Sequence, residues 1–409
     1  MSSIVKRTAL SGVLVSAVLL AACATGPTEY GERALTAQQQ QVVTDKPAGL
    51  RPLYRDLFQQ GRRNEVLNLM EIGVKAFRLG HHRIAKTVLD RAIANIESVY
   101  ADNEAARKAR SLWYEEGEKD FKGEPYERSM VYFYRGLLFL READYGNARA
   151  SFLSGLLQDA FAEEEQHTAD FASLVFLAGW AAKLHGKDKL AKEHFAEYRQ
   201  LRPDGPVPNG GDNVLVVAET GTSPRKLADG VGHYELVYRR GKGFSEQRAR
   251  IQLDQERREL YPVEDVFFQA STRGGRTVDR IIEGQVKFKK RTEKVGSNLT
   301  AVSDNNLLAG AAAASGGAVA AGAGLLTAIG VASQGLSARS KTRADTRYWH
   351  RLPDTVHVQT LHRPDTPDAL RVEFLDEQHS KVPELTNRAN VHFDQQGNGL
   401  VFASSRPER

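Results

Sequence analysis

Between residues 51 and 203 one spacing of small and bulky residues returns three times, and it constrains the fold more than any other feature of the chain. Gly73 is followed at +12 by Ala85, at +16 by Leu89 and at +19 by Ala92; Gly136 is followed in the same way by Ala148, Phe152 and Gly155; Gly179 by Ala191, Phe195 and Tyr198. Helix formers dominate the stretch, and apolar residues recur every three or four positions, as in Val66, Leu69, Met70, Val74 and Phe77. A small residue facing a bulky one lets two helices approach closely. The periodicity predicts helices, and the repetition predicts an array of related helical units. The blocks are unevenly spaced, so Glu97–Glu118 supplies further helical material between the first two.

These offsets resemble those of the tetratricopeptide repeat, with Asp144-Tyr145 ahead of the alanine helix in the second block and Pro203 closing the third. The resemblance implies a concave helical surface that takes a peptide or a partner protein. A short bundle whose blocks only build a core stays open beside it. On the first reading the partner face carries Tyr126, Arg128, Tyr132 and Tyr145, near Phe139. Pro125, within Phe121–Arg128, suits the first position of a helix, so this segment is either a capped helix entry or a partner-contact loop.

After Pro203 the texture changes. Asp204-Gly205-Pro206-Val207-Pro208-Asn209-Gly210-Gly211 is a cluster of breakers and marks a boundary. Strand-like runs follow at Asn213–Glu219, His233–Arg239, Val263–Ala270, Val278–Phe288, Thr355–Leu361, Leu370–Leu375 and Leu400–Ala403. Val356 and Val358 alternate with His357 and Gln359, the pattern of a half-buried strand. Ser245–Leu260 suits either a helix or a strand. The predicted class is α+β: a tetratricopeptide-like helical array, then a mixed or sandwich-like β domain interrupted by an apolar insertion.

That insertion, residues 305–338, contains no charged residue, and alanine and glycine dominate it. Ser315-Gly316-Gly317 near its middle suggests two short helices packed as a hairpin. It is also long enough to cross a bilayer or to build a pore from several copies, or it is a low-complexity loop; the three readings stand open.

The chain has 409 residues, with 56 lysines and arginines against 51 aspartates and glutamates, a formal net charge of +5. That balance gives no electrostatic footprint for nucleic acid. The single cysteine, Cys23, leaves no intramolecular disulfide and no cysteine-rich metal site. Lys6-Arg7, an uncharged apolar run to Ala22 and then Cys23 form the three parts of an export signal. Leu20-Ala21-Ala22-Cys23 resembles a bacterial lipobox, which implies cleavage between Ala22 and Cys23, acylation of Cys23, and sorting to the outer membrane because Ala24 is not aspartate. The resulting plan is a leader (1–22), a flexible tether (23–50), a helical domain (51–203), a β-rich first part (204–304), the apolar hairpin (305–343) and closing strands (344–409).

Gly221-Thr222-Ser223-Pro224-Arg225-Lys226, Ala344–Trp349 with Leu352-Pro353-Asp354, and Phe121–Arg128 resemble segments of a family of bacterial outer-membrane lipoproteins with tetratricopeptide-like helices and a β-rich C-terminal part. The family has no assigned reaction. The resemblance implies a companion of other outer-membrane lipoproteins in settings such as curli secretion or activation of cell-wall synthases. No HExxH, phosphate-binding loop or GxSxG is present. His81-His82 points in two directions on a helix and makes a poor metal pair, and Thr272-Arg273-Gly274-Gly275-Arg276 reads as a turn more readily than as an anion nest. The expected protein is not an enzyme and has no cofactor, metal or small-molecule substrate. It is a scaffold or assembly factor on the periplasmic face of the outer membrane, held by acyl chains and binding an envelope protein. The alternatives are a membrane-active component using 305–338, and an envelope-polymer enzyme built from carboxylates and histidines far apart in sequence.

Overall fold

The computed structural model describes residues 33–98, 120–160, 170–229, 235–253, 256–272, 345–362 and 369–406; these form nine α-helices and ten strands. The chain enters through α1 (Ala37–Thr44) and α2 (Arg51–Gln60). Thr36 caps α1: its hydroxyl accepts the Gln39 N–H at 3.2 Å while the Gln39 carboxamide accepts the Thr36 N–H at 2.9 Å. This helix lies in the stretch expected to be tether. The glutamine run looks polar, yet Val43 and Leu50 are buried in the core and anchor it.

Three hairpins follow: α3 (Glu65–Arg78) with α4 (His82–Glu97), α5 (Pro125–Arg141) with α6 (Tyr145–Ala160), and α7 (Ala172–Leu184) with α8 (Asp188–Leu201). In each, the small residue of the block sits under the bulky one sixteen positions on. A Cβ added to Gly73 would stand 2.5 Å from Leu89, one on Gly136 2.2 Å from Phe152, and one on Gly179 2.9 Å from Phe195. The three turns are capped alike. Gly80, Ala143 and Gly186 occupy the same place and all adopt left-handed backbone, at φ 78°, 57° and 70°. The next N–H then reaches back to the preceding helix, His81 to the Ala76 carbonyl at 2.8 Å, Asp144 to Phe139 at 2.9 Å and Lys187 to Ala182 at 2.9 Å. Consecutive hairpins stack, α4 on α5 and α6 on α7. Phe121–Arg128 leads into the capped start of α5, where Glu124 and Glu127 cap each other's backbone.

The eight strands of the main sheet are β1 (Val214–Thr220), β4 (Arg248–Leu253), β5 (Glu256–Glu259), β6 (Tyr261–Asp265), β7 (Thr355–Leu361), β8 (Ala369–Leu375), β9 (Asn387–Phe393) and β10 (Gly399–Ser404). Their order is β5-β4-β8-β9-β10-β1-β7-β6, with β1 parallel to β10 and the other neighbours antiparallel. The two edge strands, β5 and β6, are separated by Leu260 alone. A sheet whose first and last strands are joined by one residue must curl on itself, so the sandwich-like expectation is corrected to a single, nearly closed barrel-like sheet. β2 (Arg225–Asp229) and β3 (Glu235–Arg239) form a separate hairpin.

Ser245–Leu260 resolves as the β4–β5 hairpin. The strand expected over Val263–Ala270 ends at Asp265, whose carboxylate accepts the Phe268 N–H at 2.9 Å and so starts helix α9 (Val266–Thr272). Val278–Phe288 and the apolar 305–343 segment lie outside the described residues, as do nearly all of Glu97–Glu118 and the leader. Among the described residues no helix is long and apolar enough to cross a membrane.

Two cores organise the molecule. Val214, Val216 and Ala218 of β1 join Ile251, Val372 and Phe374 inside the barrel, whereas Leu215 and Val217 face the helices. β1 is thus buried on both faces, which accounts for its unbroken apolar run. β7, expected to be half-buried, is likewise covered on both sides: His357 is buried and its Nε2 lies 2.9 Å from the Thr220 hydroxyl. The helical core is continuous with one face of the barrel. Phe77 of α3 meets Phe402 of β10 edge to face at 4.7 Å between centroids, and Tyr134 of α5 meets Trp349 at 5.8 Å.

Candidate functional site: a polar cleft at the junction of helices and barrel

A cleft of about 600 Å³ opens where the first helices meet the barrel. Helix α2 contributes Leu53, Asp56 and Gln60, spaced so that they share one face. Helix α3 contributes Leu67, Asn68 and Glu71. The opposite wall is His350 and Arg351, which precede β7, together with Arg406 after β10.

Hydrogen bonds hold these walls in place. The Asn68 carboxamide donates to the Gln60 side-chain oxygen at 3.0 Å. Glu71 accepts the His350 backbone N–H at 2.8 Å and pairs with the Arg351 guanidinium at 3.1 Å. Arg406 donates to the His350 carbonyl at 2.9 Å. Behind the wall, Arg78 donates to the Arg351 carbonyl at 2.8 Å and pairs with Glu219 of β1 at 2.7 Å. Tyr134 donates to the other Glu219 oxygen, and burial followed by that carboxylate pushes its hydroxyl well above its ordinary value. With side-chain exposures of 3% and 1%, the Arg78–Glu219 pair is dry and ties α3 to the barrel.

Two further carboxylates fasten the same junction. Glu127 accepts N–H groups from Trp349 at 2.6 Å and Glu124 at 2.7 Å, and Glu264 of β6 accepts the Ser173 N–H of α7 at 3.0 Å. Burial raises both from an ordinary 4.5 to about 7, against the pull of Lys226 on Glu127 and Arg202 on Glu264. A carboxyl held high in the folded state binds its proton more tightly there than in the unfolded chain. Its stabilising contribution is complete below the unfolded value and is lost as pH rises through about 7. The urea midpoint is therefore expected to fall between about pH 5 and pH 8. An E127Q/E264Q variant should flatten that slope; an unchanged slope would contradict the assignment.

None of the residues expected to face a partner lines the cleft. Tyr126 is fully buried, its ring perpendicular to that of Tyr238 at 6.0 Å. Tyr132 is buried and donates to Glu97 at 2.8 Å. Tyr145 is buried and donates to Asp394 in the β9–β10 turn. Arg128, half-buried, donates to Gln158 at 2.9 Å and to the Gly123 carbonyl at 2.8 Å. Cys23 and Ala22 lie outside the described residues. His82 packs edge-on to Phe77, and burial, with Arg141, His392 and His81 nearby, lowers its imidazole to about 4. Among the described residues no group of three or more histidines and carboxylates is placed to hold a metal ion.

Sequence reasoning passed over the cleft residues because they come from three distant segments. One local signal was present: Glu71 interrupts the apolar run Leu69–Val74, the mark of a buried carboxylate with a partner. Compared with protein-family models, with curated proteins and with solved structures, the chain matches none.

Proposed function

We propose that the protein is a scaffold or assembly factor of the bacterial envelope, lipid-anchored through Cys23 on the periplasmic face of the outer membrane, and that it binds an envelope protein. The observation that carries this reading is the set of three hairpins with one contact geometry and one turn geometry, the build of a tetratricopeptide-like array. Helices α3, α5 and α7 of that array pack on the chain's own barrel. Their shared face is thereby occupied, and the open ground for a partner moves to the cleft beside α2 and α3.

Two experiments on the full chain test the proposal. Palmitate labelling and membrane pelleting are expected for the wild type and lost in Cys23→Ser; a variant that still carries label would refute the anchor. A photo-crosslinking residue at exposed Gln60 should trap one envelope protein in cells, while the same residue at exposed Glu256 on β5 should not. Equal trapping at both positions, or at neither, would refute the partner assignment.

A further inference from the structure

We propose that residues 347–352 are the chain's own ligand for the groove between α3 and α5, an autoinhibitory strap that a partner segment of the same chemistry displaces. The strap would thereby regulate access of the partner assigned in the scaffold reading, on which the partner's origin rests.

From Asp345 to the start of β7 the chain is neither helix nor strand. It crosses the first helices of two adjoining hairpins, and their side chains meet its peptide groups. The Trp349 N–H donates to Glu127 of α5 at 2.6 Å and the His350 N–H to Glu71 of α3 at 2.8 Å, while Arg78 of α3 donates to the Arg351 carbonyl at 2.8 Å. Side chains of the strap add to this. Arg347 donates to the Arg63 carbonyl at 3.1 Å and to the Asn64 side chain at 2.8 Å, and Arg351 pairs with Glu71 at 3.1 Å. The Trp349 ring meets that of Tyr134 on α5 edge to face at 5.8 Å.

Two features give this contact the form of a bound peptide. Equivalent positions of successive units read the strap: Glu71 and Tyr134 stand two residues before Gly73 and Gly136 in their blocks. The strap also hangs on one anchor. From Thr346 to Arg351 only Trp349 is buried, whereas Thr346 and His350 are exposed and Arg347, Tyr348 and Arg351 are half-buried. A segment held in a helical groove by its backbone and one large side chain is the usual form of peptide recognition.

The strap has a way off. The 600 Å³ cleft opens against Glu71, His350 and Arg351, so an incoming segment has room to reach Glu71 from the side while Trp349 is still seated. Glu71, Glu127 and Tyr134 set what it must carry: a large aromatic residue with an arginine two positions on, as Trp349 and Arg351 are placed here. Being part of the same chain, the strap competes at an effective concentration on the order of millimolar. The intact protein therefore resists free peptides and yields to a partner whose contacts extend into the cleft.

Hydrogen exchange on the wild-type full chain, read by mass spectrometry over residues 347–351 and 131–138, tests the release. The strap amides are expected to exchange at least about 100-fold faster than those of α5, through an opening that α5 does not share; exchange in step with α5 would overturn the proposal. A fluorescein-labelled peptide of residues 345–354 tests the seat. It should bind the full-length Trp349→Ala variant with micromolar affinity and the wild type at least about 100-fold more weakly, and adding Glu71→Gln to that variant should cost about tenfold. The same peptide carrying Trp349→Ala should bind neither chain. Equal binding to wild type and variant, or none to a Trp349→Ala chain that still melts cooperatively, would overturn the proposal; if that variant does not fold, the exchange measurement decides. Strap opening and peptide capture without an envelope crosslink from Gln60 would leave the proposal standing and refute the scaffold reading. An envelope crosslink to a chain whose strap never opens would do the reverse.

Discussion

Replacing Arg78 with alanine is expected to lower folding stability by about 3–5 kcal/mol, the cost of stripping one partner from a buried ion pair. Glu219 would keep its Tyr134 hydrogen bond but lose the guanidinium that neutralises it, inside a wall from which water is excluded. The Arg351 carbonyl would lose a donor at the same time. Removing both charges together with the hydroxyl, as Arg78→Met/Glu219→Leu/Tyr134→Phe, should recover most of the loss, because no uncompensated charge then remains and only the Arg78 hydrogen bond to the Arg351 carbonyl is missing. Urea unfolding of the single and triple variants checks this. A cost below about 1 kcal/mol for Arg78→Ala would mean that the pair is solvated, as exposed pairs are.

The second large effect is expected at Gly136. Alanine there gains up to about 1 kcal/mol of helix propensity. Its methyl would also stand 2.2 Å from a Phe152 ring that is itself fully buried. Overpacking of that kind costs about 1–3 kcal/mol, so the sign of the change is set by the ring and not by the helix. The three equivalent positions form a graded series. Gly73→Ala meets Leu89 at 2.5 Å, and Leu89 is buried, so it should also destabilise. Gly179→Ala meets Phe195 at 2.9 Å, and Phe195 is only partly buried and can swing aside, so this variant should be near neutral. Adding Phe152→Leu to Gly136→Ala should restore stability if the contact is the cause. Thermal melts of the series give the ranking, and a reversed order would show that the hairpins differ in a way their contacts do not reveal.

The helical half was legible because its information is local and repeated. Gly136 and Phe152 lie sixteen positions apart on adjoining helices, and the same pair recurs as Gly73 with Leu89 and Gly179 with Phe195. The strands Thr355–Leu361 and Leu370–Leu375 were legible for the same reason, from apolar residues in short runs. Sheet closure was not, because it depends on which distant strands pair, and the one-residue link at Leu260 means closure only once the strand order is known. Asp265 was a readable helix cap overlooked inside an apolar run. The cleft was out of reach: Gln60, Glu71, Arg351 and Arg406 come together only after the barrel has docked on α3. The tyrosines expected on a partner face were read as surface because aromatic residues on a repeat suggest a groove, whereas here α5 lies between its neighbouring helices and the barrel.

The parallel pairing of β1 with β10 carries a consequence for the order in which the molecule is made. β1 follows α8 closely, yet its parallel neighbour is the last strand among the described residues. During synthesis, helices α1 to α8 are complete long before the barrel that covers α3, α5 and α7 can close. Until then Phe77 and its neighbours on that face stand in water. A nascent chain of this design is most exposed to mispairing late in its production, and a short C-terminal truncation that removes β10 would leave it in that state permanently.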